Sequence, residues 1–166
     1  MRFFVLANGA YSMAPQVSYG ITFGMVHRLG WYVNINSNFK ARKSSWYDCY
    51  GDGWISGLTN YSYTGEKSTS RFSATAGLVF RLWRPVYLYL GGGYGWRNLY
   101  WLYRAECEYG WASYEYGWAR NIDYSYQGAA LDGGLLFRFN KVGVSLGVQT
   151  VGINYVEAKL GLGIVF

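Results

Sequence analysis

A chain of 166 residues with a formal charge of +6 has the length of one domain, yet only 14% of it is charged while 21% is aromatic. That is too few charges for the surface of an ordinary soluble domain, and the basic residues stand singly, without the run or stripe a nucleic-acid groove needs. No stretch approaches the ~18 consecutive apolar residues of a membrane helix. With 23 Gly, two Pro and a mean hydropathy of −0.04, the apolar residues must be interleaved with small and polar ones, as in strands with two unlike faces.

In chain order, a weak first strand is expected around Arg2–Tyr11. Its opening, MRFFVLANGA, has too short an apolar run for a secretory signal, so a processed chain or one domain of a longer one is expected. Residues 1–166 are read as a single domain. From Gln16 to His27, Val17, Tyr19, Ile21, Phe23 and Met25 share one face, and Gln16, Ser18, Gly20, Thr22 and Gly24 the other. After Arg28-Leu29-Gly30 the pattern restarts, with Trp31, Val33, Ile35 and Phe39 against Tyr32, Asn34, Asn36, Asn38 and Lys40. Phe72, Ala74, Ala76, Leu78 and Phe80 oppose Arg71, Ser73, Thr75, Gly77 and Arg81. Trp83-Arg84-Pro85 breaks the run, since Pro is excluded from interior strands. Val86, Leu88, Leu90, Tyr94 and Trp96 then oppose Tyr87, Tyr89, Gly91, Gly93, Gly95 and Arg97. Ala129, Leu131, Leu135 and Phe137 oppose Gly128, Ala130, Asp132, Gly134 and Arg138; Asn140-Lys141 reads as a tight hairpin turn. Val142, Val144, Leu146 and Val148 oppose Gly143, Ser145, Gly147 and Gln149. The last strand sets Ala158, Leu160, Leu162, Ile164 and Phe166 against Glu157, Lys159, Gly161, Gly163 and Val165. That makes eight strands, and helical periodicity appears nowhere.

The large apolar residues alone fix each strand's phase. Lys40, Arg71, Arg81, Arg97, Asp132, Arg138, Glu157 and Lys159 then all fall on the opposite face, which chance would give about once in 250 trials. An eight-stranded barrel encloses little more than its own side chains. Turned inward, the aromatic face would overfill it and leave glycines in water; turned outward, it meets hydrocarbon, and small residues with opposed charges fill the lumen. The tightest links (RLG, WRP and NK) are the second, fourth and sixth, so they share one end. The long segments 43–70 and 101–122 share the other, the asymmetry of tight periplasmic turns and long extracellular loops.

The terminal AKLGLGIVF alternates to a final Phe166, and resembles the signature read by the outer-membrane assembly machinery. The whole chain is similar to small eight-stranded outer-membrane barrels of the OmpA/OmpX type. Its Gly- and Tyr-rich texture, with PQVSYGITFG early on, looks most like barrel domains of Bacteroidota. The resemblance implies an all-β, antiparallel, up-and-down transmembrane barrel in the outer membrane of a Gram-negative bacterium. It also implies contact with outer-membrane lipid and lipopolysaccharide, and Phe166 as an assembly signal.

His27, the one histidine, lies beside a tight turn, at the wrong end for the outer-leaflet chemistry of lipid-modifying barrels and without an evident general-base partner. No CxxC or HxxH spacing suggests a metal, and no cofactor is expected. Arg71, Arg81, Arg97, Asp132, Arg138, Glu157 and Lys159 are expected to pair in a plugged lumen with Tyr32, Tyr87 and Tyr89. Trp31, Phe80, Trp83, Phe137 and Phe166 at one rim, and Phe39, Phe72, Tyr94 and Trp96 towards the other, read as interfacial girdles. Trp46, Tyr47, Tyr50 and Trp54 in the first long segment, and Trp101, Tyr103, Tyr109, Trp111, Tyr114, Tyr116 and Trp118 in the second, fall beyond any girdle. Such clusters form a contact surface or a self-packed cap, and strands flanking the second segment are expected to run on as a hairpin. An oxidising exterior favours a Cys49–Cys107 disulfide tying the two segments. The expectation is a non-catalytic barrel whose outer segments bind a protein or glycan in recognition, adhesion or assembly. A lipid-modifying barrel enzyme and a soluble barrel around an apolar ligand are the alternatives.

Overall fold

The computed structural model describes residues 2–12, 16–40, 42–106, 114–153 and 155–166. They form β1 (Arg2–Ser12), β2 (Gln16–Val26), β3 (Leu29–Ser37), β4 (Tyr47–Cys49), β5 (Tyr61–Trp83), β6 (Val86–Glu106), β7 (Tyr114–Phe139), β8 (Val142–Val151) and β9 (Tyr155–Val165). The chain divides into two compact units. Unit 1 holds Met1–Phe39, Arg71–Trp96 and Gln127–Phe166; unit 2 holds Lys40–Ser70 and Arg97–Tyr126.

Unit 1 is a closed ring of eight antiparallel strands in the order β1, β2, β3, β5, β6, β7, β8, β9 and back to β1. Closure runs from Phe4↔Val165 to Ser12↔Glu157. Beyond the last rung, Phe3 and Phe166 exchange both backbone hydrogen bonds at 2.9 Å. The terminal residue is therefore held like any ladder residue, with its ring exposed beside Phe3 at 6.5 Å. Such a ring has no open edge. Asn140 takes a φ of 54° at the turn between β7 and β8, a left-handed conformation that suits Asn and the twist of a two-residue hairpin.

The alternation sorts as the charges require. Val5, Ile21, Val33, Leu78, Leu90, Leu131, Leu146, Leu160 and Leu162 are exposed on the outer face, while Arg71, Asp132, Glu157 and Lys159 are buried. Exposed apolar side chains covering a whole barrel wall cannot face water stably; hydrocarbon is the solvent that removes their cost. Glycines make room for the filling. A Cβ on Gly147 or Gly134 would run into the Tyr89 hydroxyl, and one on Gly91 into that of Tyr32.

Three expectations need correction. The lumen is not polar throughout: Phe4, Leu6, Val26, Val79, Leu136 and Val165 close its tight-turn end with Tyr32, Tyr87 and Tyr89. Apolar side chains fill this layer without needing hydrogen-bond partners, although the Tyr89 hydroxyl is buried without one among the described residues. Val86, expected on the outer face, is likewise buried at its turn. β3 stops at Ser37, because Asn38 accepts the Arg71 N–H through its side chain and Phe39 turns to a φ of 54°; Phe39 and Lys40 are not strand residues. Finally, the first long segment is partly strand, with β5 starting at Tyr61, whereas β6 running to Glu106 and β7 starting at Tyr114 agree with the expected continuation of the strands that flank the second segment.

Candidate functional site

Within unit 1 the buried charges form two pairs in separate layers. Asp132 on β7 accepts both Oδ contacts from Lys159 Nζ on β9, at 2.7 and 2.5 Å. Asn34 and Thr75 donate to the same carboxylate at 3.3 Å, and Asn8 and Thr22 extend the network to Asn34. Lys159 also stands 5.0 Å from the Tyr89 ring centre. In the other layer Arg71 pairs with Glu157 and lies 5.1 Å from the ring of Tyr155, whose hydroxyl shares a 2.5 Å hydrogen bond with Ser12. Between the layers, Asn36, Gln149 and Ser73 bond to one another. A void of about 10 Å³ lies among Phe4, Tyr32, Tyr89 and Lys159, at the lower limit for one water. A channel needs more.

The other residues expected in that network lie elsewhere. Arg97 belongs to unit 2, where its guanidinium donates to the Tyr124 carbonyl at 2.6 Å. Arg81 and Arg138 line a cleft at the tight-turn end with His27, Arg2 and Arg84. No serine or carboxylate among the described residues lines that cleft, and His27 stands among arginines rather than beside a nucleophile and an orienting acid. Among the described residues no cluster of His, Cys, Asp and Glu has metal-binding geometry.

Unit 2 is a sheet in the order β4, β7, β6, β5. The three-residue β4 runs parallel to β7, with Tyr47↔Ala119, Asp48↔Arg120 and Cys49↔Asn121 in register. Side chains fix this short strand. Ser45 Oγ accepts the Arg120 N–H at 3.1 Å and donates to the Tyr47 carbonyl at 2.7 Å. Asp48 accepts Arg120 Nε at 3.2 Å, Asn121 donates to the Tyr50 carbonyl, and Asp123 accepts the Gly51 N–H at 2.6 Å. Cys49, Ile55, Tyr103 and Ala119 form a core, with Tyr47, Tyr61, Tyr63 and Trp101 packed against it. Burial raises the Cys49 thiol and the Tyr63 and Tyr103 hydroxyls above their ordinary pKa values. Gly53 at φ 92° carries the tight turn between Tyr50 and Trp54, which a side chain would strain.

The expected aromatics therefore divide. Tyr47, Tyr50, Trp101 and Tyr103 pack inside unit 2; Tyr47 meets Tyr103 edge-on at 6.0 Å, and Tyr50 stacks on Trp54 at 5.4 Å. Trp46 (88%), Trp54 (54%) and Tyr116 (60%) remain exposed, and Trp118 lies 5.1 Å beneath Lys43. Tyr109, Trp111, the Tyr114 side chain and Cys107 lie outside the described residues, and the expected Cys49–Cys107 bond with them. Trp46 forms one wall of a cleft of about 370 Å³, shared with Arg42, Lys43, Tyr100, Asp48 and Arg120. Sequence reasoning passed over its three cations. The signal was there in the dibasic Arg42-Lys43 three residues before Trp46, but only β4 reveals that Arg120 joins them.

A scan against family models finds no match, and neither does a search of curated proteins. Solved structures do match. The Yersinia pestis outer membrane protein Ail in a phospholipid bilayer nanodisc superposes with a TM-score of 0.56 at 16% identity, covering 99% of each chain. Ail in complex with the heparin analogue sucrose octasulfate gives 0.54 at 15% identity, over 99% of this chain and 96% of that one. A de novo designed transmembrane β-barrel gives 0.52 at only 9% identity, over 99% and 95%. The likeness is one of fold, carried by pattern rather than by particular residues, and it does not bear on the expected resemblance to Bacteroidota domains. Closed ladder, outward apolar wall, plugged lumen and these matches agree: the chain has the fold of an eight-stranded antiparallel transmembrane β-barrel.

Proposed function

We propose that the protein resides in the outer membrane of a Gram-negative bacterium as a single barrel domain, tight turns to the periplasm, and recognises an anionic glycan at the cell surface without catalysing a reaction. The observation that carries this is the cleft of unit 2. Arg42, Lys43 and Arg120 outnumber its one carboxylate, Asp48, and the nearly bare Trp46 offers a flat face against which a sugar ring can stack. Cations at the edge of an aromatic wall suit sulfate or carboxylate groups on a pyranose. The complex of Ail with a heparin analogue supports the reading by analogy of fold. Lipopolysaccharide is the anionic glycan-bearing neighbour in that leaflet, and Phe166 serves as the mark for the assembly machinery.

The test is binding of sucrose octasulfate and of a neutral oligosaccharide of equal size to the barrel in nanodiscs. Only the sulfated ligand binds, and Arg42→Ala with Lys43→Ala weakens it at least tenfold. Equal binding of the two ligands, or indifference to the double substitution, overturns the proposal. A protein partner is the second reading, favoured by Trp54 and Tyr116, exposed outside the cleft; their replacement would then abolish surface crosslinks while leaving glycan binding intact.

A further inference from the structure

The net charge of +6 is not spread over the molecule. Unit 2, residues 40–70 and 97–126, contains seven Lys or Arg and seven Asp or Glu. Unit 1 contains eight Lys or Arg and two carboxylates, and those two, Glu157 and Asp132, are committed to Arg71 and Lys159 inside the lumen. The six remaining cations are Arg2, Arg28, Arg81, Arg84, Arg138 and Lys141. All six sit at the tight-turn end: Arg28, Arg84 and Lys141 in the turns, Arg2 at the first residue of β1, Arg81 and Arg138 within two residues of the ends of β5 and β7. The backbone draws them together, since Arg2 pairs with Val26, the Arg81 N–H donates to the Arg28 carbonyl at 3.1 Å, and the Arg138 N–H to the Pro85 carbonyl at 2.9 Å.

Four of the six, Arg2, Arg81, Arg84 and Arg138, line one cleft of about 340 Å³ together with His27, against a wall of Tyr87 and Val26. Four guanidinium groups around one space create a positive potential that favours an anion between them, and unit 1 has no side-chain carboxylate left to supply one. The space is more than twenty times the ~10–15 Å³ that admits one water, so it has room for a group larger than a single small ion. Planar guanidinium forks match tetrahedral oxyanions two bonds at a time. The same rim carries exposed Phe3, Trp31, Phe80, Trp83, Phe139 and Phe166 on its outer wall, the aromatic girdle that marks where acyl chains give way to headgroups. The cleft therefore opens at the depth where lipid phosphates lie.

From this geometry we infer that the arginine cleft is a binding site for the headgroup of an anionic phospholipid in the periplasmic leaflet, with a headgroup bearing two phosphates fitting best. Basic pockets at a membrane surface take multiply charged headgroups in the same way. Arg28 and Lys141 lie outside the cleft and supply only a diffuse attraction. The site shares no residue with the glycan cleft of unit 2, so either proposal can fail alone.

The folded barrel in detergent is exposed to an equimolar mixture of phosphatidylcholine, phosphatidylglycerol and cardiolipin, and retained lipid is counted by native mass spectrometry. The wild type retains one cardiolipin per barrel in at least tenfold preference to phosphatidylcholine. Arg81→Gln with Arg138→Gln removes the preference, whereas Arg28→Gln with Lys141→Gln lowers it less than twofold. Loss of folding in the first variant is detected by heat-modified gel mobility, and Arg84→Gln, on an exposed turn, then replaces it with an expected threefold to tenfold loss. No preference in the wild type, or equal loss in the cleft and off-cleft variants, overturns the inference. So does displacement of cardiolipin by millimolar inorganic phosphate, which would assign the cleft to a soluble oxyanion.

Discussion

Replacing Leu146 by Arg probes the inside–outside assignment most directly. Leu146 points outward, 51% exposed, and its cross-strand neighbours are Leu135 on β7 and Leu160 on β9, so an introduced guanidinium finds no polar partner on either side. It lies four residues above Val142, the first residue of β8 after the turn. At ~3.4 Å per residue and a tilt of ~40°, that is a rise of about 10 Å, which places Leu146 near the middle of a ~25 Å apolar band and Val142 at its edge. Arg at the midplane of a barrel costs about 2–4 kcal/mol and near an interface about 0–1 kcal/mol. Leu146→Arg is therefore expected to lower stability by about 2–4 kcal/mol, and Val142→Arg, at a site 46% exposed, by no more than about 1 kcal/mol. The assay is reversible urea unfolding in phospholipid vesicles, monitored by tryptophan fluorescence. Equal costs at the two sites, or a Leu146→Arg protein as stable as wild type, would refute both the lipid-facing assignment and the depth scale. A Leu146→Ala control separates lost apolar contact from introduced charge.

Breaking the Asp132–Lys159 pair by Asp132→Asn or Lys159→Met alone leaves an uncompensated buried charge and is expected to cost about 3–5 kcal/mol, while the two together recover most of it. Urea midpoints of the three proteins check this, and a neutral single substitution would show that the lumen is wetter than its packing implies. In unit 2, burial holds the Tyr63 and Tyr103 hydroxyls, and the reduced Cys49 thiol, protonated beyond their ordinary ranges. The unfolded segment then releases protons first as pH rises. The stabilising difference is fully present below about pH 8 and is lost as pH rises, from ~8.5 for the thiol and from ~10 for the tyrosines. Phenolate absorbance should show those tyrosines ionising late and together with loss of unit 2 structure; ionisation at ordinary pH, with the fold intact, would contradict the packing.

The barrel was legible because period-2 alternation reports both element and face. Leu160 and Leu162 against Lys159 and Gly161 leave no other arrangement once the lumen is too small for aromatics. The apolar inner layer was not legible: Phe4, Leu6 and Leu136 point inward at the end of the lumen, and an apolar side chain carries no mark of which face it takes when both are dry. The Arg71–Glu157 and Lys159–Asp132 partnerships depend on how strands stagger around the ring, which parity does not specify. In unit 2 the limit was length. Three residues of β4 are too few for a period, and the strand is held by Ser45, Asp48 and Asn121, whose polar side chains look like loop chemistry until Arg120 and the β7 backbone stand opposite them. The arginine cleft gathers residues from four separate strand ends and turns, each unremarkable alone.

The two ion layers also act as a lock on how the ring shuts. β9 contributes Tyr155, Glu157 and Lys159 inward at every second position, with a negative tooth meeting Arg71 and a positive one meeting Asp132. Sliding β9 by one place would turn the whole set out to lipid. Sliding it by two keeps the antiparallel hydrogen-bond pattern apart from its end rungs but brings Glu157 to Asp132 in one direction and Lys159 to Arg71 in the other. Each mis-seated closure buries two like charges, at a cost of several kcal/mol. β9 thus meets a penalty at each of these wrong seats, and the barrel distinguishes its own seam from the near-identical ones that backbone pairing alone would accept.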